Sequence, residues 1–273
     1  MLSVKNLSVA LSGSAILKDV SLDAGSGRVT ALLGPNGSGK STLLKAILGV
    51  IKKTGGKIAF KDTDFASIDL KARARICSCV HQNVLFSSPY TVLEYVLMGR
   101  YPHLGSFDYY GLSDYRMARE MIKRVGLAGF EERIVTTLSG GEAARTAIAQ
   151  ALTQDSPVML LDEPTAALDP RHSMIVSEII GELAAEKRVV LMAVHDVNMA
   201  LDCSDRLIFL KNGAVYKDMD SRDITGGILR DVYDIPWEIL PVGNDGRRAA
   251  IPVRNLIGLK YAGEKTGGLI DAH

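Results

Sequence analysis

Cysteine is scarce in this chain, charge of one sign is not in excess, and long hydrophobic runs are missing. The three cysteines among 273 residues are Cys77, Cys79 and Cys203. An odd, sparse set argues against a disulfide framework and fits a reducing compartment. Cys77 and Cys79 have one residue between them and no second Cys/His pair nearby, which is poor spacing for zinc. They read as two small residues on a partly buried strand. Lys and Arg number 32 against 31 Asp and Glu. A dedicated nucleic-acid binder shows a basic excess, so no nucleic-acid partner is expected. Apolar runs such as residues 189–194 fall far short of the ~20 residues that span a bilayer. The opening Met1-Leu2-Ser3-Val4-Lys5 lacks a basic stretch followed by an apolar core, so no signal peptide is expected there. There is no internal repeat and no low-complexity tract.

What is present is an ordinary globular composition, 47% hydrophobic and 23% charged, and enough chain for a full core without disulfides or metals. Residues 2–22 alternate loosely around Ser12-Gly13-Ser14 and predict short strands joined by a turn. Val29-Thr30-Ala31-Leu32-Leu33 predicts a buried strand. A Gly-rich turn follows, and then Leu43, Leu44, Ile47 and Leu48 fall on one helical face that stops at Gly49. Residues 57–82 predict further strands and a short basic helix around 69–75. Residues 87–154 switch to helical spacing. Residues 158–161 read as a doubly covered strand. Residues 170–187 form an amphipathic helix with Ile175, Ile179 and Leu183 inward. A buried strand at 189–194 and a helix from Asp196 complete the alternation. The fold class is therefore α/β: a mostly parallel sheet with flanking helices, an antiparallel β part and an inserted helical subdomain. The expected division is a core of residues 1–86 and 156–225, a helical subdomain of 87–155, and a small, less periodic extension of 226–273.

Gly34-Pro35-Asn36-Gly37-Ser38-Gly39-Lys40-Ser41-Thr42 fits the phosphate-loop pattern. Glycines let the backbone curl its N–H groups inward, and the following helix aims its positive end at the same anion. Lys40 would reach the β- and γ-phosphates of a nucleotide, and Ser41 would ligate Mg²⁺. Asp162 ends a buried apolar strand and is suited to hold Mg²⁺ through water. Glu163 follows it and could polarise an attacking water. Leu138-Ser139-Gly140-Gly141-Glu142 opens a helix rich in alanine. Taken alone, Ser139 is an ordinary N-cap.

Together these residues resemble the ATP-binding cassette (ABC) ATPases, over roughly residues 2–225. Residues 138–142 look like the family's signature motif, lying between the phosphate loop and the Asp162 strand. The resemblance implies a P-loop NTPase core. It makes Gln82 the Q-loop glutamine that touches Mg²⁺ and senses the membrane partner. Residues 164–169, ending in Asp169, become the D-loop, and His195 becomes the switch histidine at the γ-phosphate. It further implies that two cassettes pair head to tail, so that Ser139, Gly140 and Gly141 act in trans on ATP held by the partner's loop. Two positions depart from the family. Leu11 stands where an aromatic usually stacks on adenine, and Ala143 and Ala144 stand where the signature usually continues with polar residues.

Thr91-Val92-Leu93-Glu94-Tyr95-Val96-Leu97-Met98-Gly99-Arg100-Tyr101-Pro102-His103 resembles the corresponding segment in ATPases that serve importers of iron–siderophore, haem and cobalamin. Zinc and manganese importers share its first part. The expectation is a homodimeric ATPase, peripheral on the cytoplasmic face of the cell membrane. It would lie beneath a separate integral-membrane permease fed by an extracytoplasmic substrate-binding protein. The alternatives are the ATPase of a zinc or manganese importer, a soluble ABC ATPase acting on ribosomes or DNA, and another P-loop enzyme such as a kinase or GTPase.

Overall fold

Alternate residues of the central strands leave in opposite directions and enter two different cores. In the strand that precedes the Gly-rich turn, Val29, Ala31 and Leu33 join one core and Leu32 the other. Residues Met159 and Leu161 take one side against Val158 and Leu160, and Val190 and Met192 oppose Val189 and Leu191. That is the period-two pattern of a sheet covered on both faces, and it is why these runs are continuously apolar. The computed structural model describes residues 1–82, 86–166, 168–244 and 246–253.

The chain begins with β1 (Leu2–Leu11), β2 (Ser14–Ala24), β3 (Arg28–Leu33), α1 (Lys40–Leu48), β4 (Gly55–Phe60) and β5 (Thr63–Asp64). Next come α2 (Leu70–Ile76), β6 (Cys77–Val80), α3 (Val92–Leu97), a 3-10 turn at Met98–His103, α4 (Leu112–Arg124) and α5 (Gly140–Thr153). The second half runs β7 (Val158–Asp162), α6 (Pro170–Ala185), β8 (Val189–Ala193), α7 (Val197–Cys203), β9 (Arg206–Lys211) and β10 (Ala214–Asp220). It closes with α8 (Gly226–Tyr233), β11 (Trp237–Val242) and β12 (Arg247–Pro252).

Six strands form the main sheet in the order β10-β9-β3-β8-β7-β6, parallel throughout except for β10. An antiparallel sheet, β2-β1-β4-β5, packs with α1 over one face. Helices α3 to α8 supply the other core. Between β6 and β7 the described backbone is helical apart from connecting loops, and α3, α4 and α5 pack on one another. Both Cys77 and Cys79 lie on β6. Burial pushes the Cys77 thiol up, and it pushes that of Cys79 up to about 12.

Two expectations need correction. The first two strands are long, ten and eleven residues, because the antiparallel sheet buries side chains from Leu2 to Val9 of one and from Leu17 to Ala24 of the other. On α6 the buried residues are Val176, Ile179, Ile180 and Leu183, with Ile175 at the margin. The stripe is thus rotated from the expected one, because α6 faces both the sheet and α7. The extension is ordered as α8 and an antiparallel hairpin as far as Val253. Its weak periodicity reflects short elements that each bury only a few residues. Residues 254–273 lie outside the described residues.

Candidate functional site

β3, β8, β7 and β6 are neighbours and parallel, so their C-terminal ends share one edge of the sheet. Ligands of open α/β sheets bind at that edge. The chain uses all four ends: residues 34–39 follow β3, His195 follows β8, Asp162 and Glu163 end β7, and Gln82 follows β6. They surround an open cavity of about 540 Å³ walled by residues 36–42 with Ile16, Gln82, Glu163 and His195.

The loop after β3 is built on left-handed glycines, with φ of 143° at Gly34, 77° at Gly37 and 104° at Gly39. A Cβ on Gly39 would lie 2.6 Å from Leu17 Cδ2. Gly39 caps α1 with no side-chain hydrogen bond, which leaves backbone donors of the first turn free of side-chain partners. Ser38 is 2% exposed, and its Oγ has no hydrogen-bond partner. Lys40 is buried and folds back to donate to Gly34 O at 2.7 Å and Pro35 O at 3.4 Å. Burial pulls its ammonium below the ordinary range, while Glu163 and Asp162 act in the opposite direction. A helix start, an orphaned hydroxyl and a desolvated ammonium together fit an anion with several oxygens, such as a phosphate chain.

Ser41 Oγ donates to Asp162 Oδ1 at 3.0 Å. One buried carboxylate beside one hydroxyl is a hard oxygen set that suits Mg²⁺ when phosphates complete it. Among the described residues no cluster of three or more His, Cys, Asp or Glu side chains could hold a metal unaided. Glu163 sits at φ 53° and donates its N–H to Ala193 O at 2.9 Å. A non-glycine residue in that region is uncommon and persists where its surroundings hold it. Its carboxylate is 11% exposed. Gln82 Nε2 donates to Oε2 at 2.6 Å, and His195 Nε2 pairs with Oε1.

The structure thus gathers residues 36–42, Gln82, Glu163 and His195 around one cavity, with Gly34 and Pro35 off its wall and Asp162 buried behind Ser41. Leu138, Ser139, Gly140, Gly141 and Glu142 are not on its wall. Ser139 and Gly140 are exposed at the start of α5. There Ser139 and Glu142 form a reciprocal cap, with Ser139 N–H donating to Glu142 Oε2 at 2.7 Å. Behind them Arg145 is buried and donates to Gly126 O at 3.0 Å, so it fastens α5 to the end of α4. Asp169 is also off the wall; it caps α6 and pairs with His172 Nδ1 at 2.8 Å. Hydrogen bonds from His172 hold its carboxyl below the ordinary range. Ala167, within the expected D-loop, lies outside the described residues. Leu11, expected at the base, is 41% exposed at the end of β1, and Ile16 of β2 lines the cavity instead. Sequence reading missed Ile16, whose only local signal is its place beside Leu17, the residue packed on Gly39. It also missed Tyr233, whose hydroxyl meets the Gly34 N–H from 199 positions away and which no local signal marks.

Comparison with known proteins agrees with this geometry. A family described as "ABC transporter" matches residues 17–166. The cobalamin import ATP-binding protein BtuD of Halobacterium salinarum is 37% identical over 93% of this chain, which spans 63% of that relative's length. The hemin import ATP-binding protein HmuV of Streptomyces coelicolor is 35% identical over 91% of this chain and 89% of its own. The phosphonates import ATP-binding protein PhnC 1 of Rhodopseudomonas palustris is 35% identical over 85% of this chain and 86% of its own. Among solved structures, a chain from an inward-facing metal-chelate type ABC transporter superposes with a TM-score of 0.80 at 27% identity, over 93% of this chain and 98% of that one. The dimeric ABC transporter cassette MJ0796 superposes with a TM-score of 0.75 at 29% identity, over 82% of this chain and all of its own. By motif order, site geometry and these matches, the chain belongs to the ABC transporter family.

Proposed function

We propose that this chain binds and hydrolyses ATP to drive an importer, and that its cargo is a metal chelate such as an iron–siderophore, haem or cobalamin. The observation that carries the ATPase reading is Glu163, a carboxylate fixed at the edge of the phosphate-loop cavity between Gln82 and His195. In this reading residues 34–42 hold the phosphates, with Lys40 on their outer oxygens. Glu163 orients a water and takes its proton, and His195 contacts the γ-phosphate. Ser41, Asp162 and Gln82 would hold Mg²⁺, which when bound neutralises developing phosphate charge. Residues 138–142 and Asp169 stand outside the cavity and are exposed or at a helix cap, which suits a role across a dimer interface. A second copy would bring its Ser139, Gly140 and Gly141 over the bound ATP.

The cargo assignment draws on the relatives named for cobalamin and hemin import and on the metal-chelate transporter structure. A relative named for phosphonates import is the observation that favours a second reading, uptake of a phosphorus oxyanion. Among the described residues no helix is long and apolar enough to cross a membrane. We assign transport to a separate permease, with this chain peripheral on the cytoplasmic face. The surface we assign to that permease is a groove of about 510 Å³ between α2, α5 and the end of β6, with Tyr95 on its wall. We assign residues 1–86 and 156–225 to the nucleotide-binding core, 87–155 to the helical subdomain and 226–273 to an extension. An extracytoplasmic binding protein would hand the cargo over, and its ligand would name it.

The test is Glu163→Gln. It should keep ATP affinity near the parent's and lower turnover by about 100-fold or more. Turnover at the parent rate removes Glu163 as the base. Uptake assays of the chain with its permease, using a radiolabelled ferric chelate and a phosphonate in parallel, decide the cargo class.

A further inference from the structure

Gly34 follows β3 and opens the loop, and the two peptide groups that meet at its Cα are each held by a side chain. The carbonyl accepts from Lys40 Nζ at 2.7 Å. The N–H donates to Tyr233 Oη at 3.2 Å. Gly34 itself is buried, and a Cβ there would lie 2.1 Å from Leu210 O. Neither peptide group therefore has much freedom to turn.

Tyr233 is held in place by its own surroundings. It ends α8, and its ring meets that of Trp237 at a centroid distance of 5.8 Å. Burial pushes its hydroxyl up to about 12, so it stays protonated at physiological pH. The hairpin that follows α8 is fastened on the other side of the site. Asn198 Nδ2 donates to Ala250 O at 3.2 Å, and Ala250 N–H donates to Asn198 Oδ1 at 2.7 Å. Asn198 lies in α7, whose cap Asp196 directly follows His195. The segment 226–252 thus touches the loop after β3 at one end and the helix after β8 at the other.

We propose that Tyr233 is a positioning residue for the phosphate loop. Its hydroxyl fixes the Leu33–Gly34 peptide, so the start of the loop keeps its shape when a phosphate competes with the Gly34 carbonyl, one peptide further on, for the Lys40 ammonium. This rests on the nucleotide reading above. It adds a part to the site that the phosphate-loop pattern does not contain, supplied by the extension.

The test uses the full chain and two conservative variants. Tyr233→Phe keeps the ring and removes the hydroxyl. Tyr216→Phe removes a hydroxyl that also reaches α8, donating to Asp231 Oδ2 at 3.2 Å, but has no contact with the loop. Titration calorimetry with Mg·ADP should show affinity reduced about three- to tenfold in Tyr233→Phe and unchanged in Tyr216→Phe. The KM for ATP should rise by a similar factor, with kcat changing less. Amide exchange of the peptide containing Gly34 should be faster in Tyr233→Phe than in the parent. Parent-like Mg·ADP affinity in Tyr233→Phe overturns the proposal, whatever happens to its thermal midpoint. Failure of the parent to bind Mg·ADP overturns the nucleotide reading, and the proposal falls with it.

Discussion

Ser41 and Asp162 are 121 positions apart and meet in one hydrogen bond. Pairings of this kind decide how much of a site can be read residue by residue. The phosphate loop was legible because its demands are local: three glycines sit where φ is positive, and a lysine and a hydroxyl open the next helix. Asp162 and Glu163 were legible because an apolar strand ends on them. Tyr233 was not, because a tyrosine on a short amphipathic helix looks like core, and only the fold brings it to Gly34. Two outcomes follow at this scale. Lys40→Ala should abolish measurable ATP binding by equilibrium titration, since the buried ammonium has no substitute among the residues lining the cavity. Gly34→Ala should lose nucleotide binding and lower the thermal midpoint, because its Cβ would enter the Leu210 carbonyl at an already left-handed φ. A Gly34→Ala protein that melts and binds like its parent would show that the loop tolerates a different path.

The elements teach a different lesson about the Met-Gly-Arg-Tyr-Pro-His string at Met98–His103. Read as sequence, it marks an importer lineage. In the fold, three of its residues hold this short 3-10 turn against its neighbours. Gly99 lets the backbones touch, for a Cβ there would lie 2.3 Å from Gln150 O. Arg100 pairs with Asp114 at 2.8 Å, each side chain only 15% exposed. His103 bonds Gln154 O at 2.8 Å. The pattern thus encodes how the turn docks on α5 and the start of α4, which no helical or strand period reveals. Gly99→Ala should lower unfolding free energy by about 1–3 kcal/mol in urea titration. The Asp114 carboxyl feels burial, which raises it, but Arg100 and the Gly111 N–H together outweigh that and hold it below the ordinary carboxylate range. A carboxyl held low in the fold stabilises the protein above its unfolded value, and the contribution is lost as pH falls through the lower folded value. Asp114→Asn should therefore be less stable than the parent by about 2 kcal/mol at neutral pH. The difference between their urea midpoints should narrow as pH drops below about 4. A gap independent of pH would mean the loss is packing rather than charge.

At the scale of the whole molecule, a mostly parallel sheet was implied by alternation of strand and helix but its strand order was not, and that order, which sets four neighbouring strand ends on one edge, is what assembles the cavity. The dimer was implied only by motif order, because nothing in a single chain shows what covers Ser139. Its exposure makes a clean experiment. Ser139→Arg should fold, losing about 1 kcal/mol for the cap, yet lose most ATP turnover. Mixed with Lys40→Ala, itself inactive, it should recover part of the activity, since each mixed pair holds one intact shared site. Full activity in Ser139→Arg alone would rule the shared site out. The carboxylate of Glu163 carries a last consequence. One of its oxygens is engaged by Gln82 and the other by His195, so about half of its roughly four lone-pair sites are taken before any water arrives. Like a mast between two guy ropes, the carboxylate is thereby aimed, and only a narrow sector of approach is left open to a third partner.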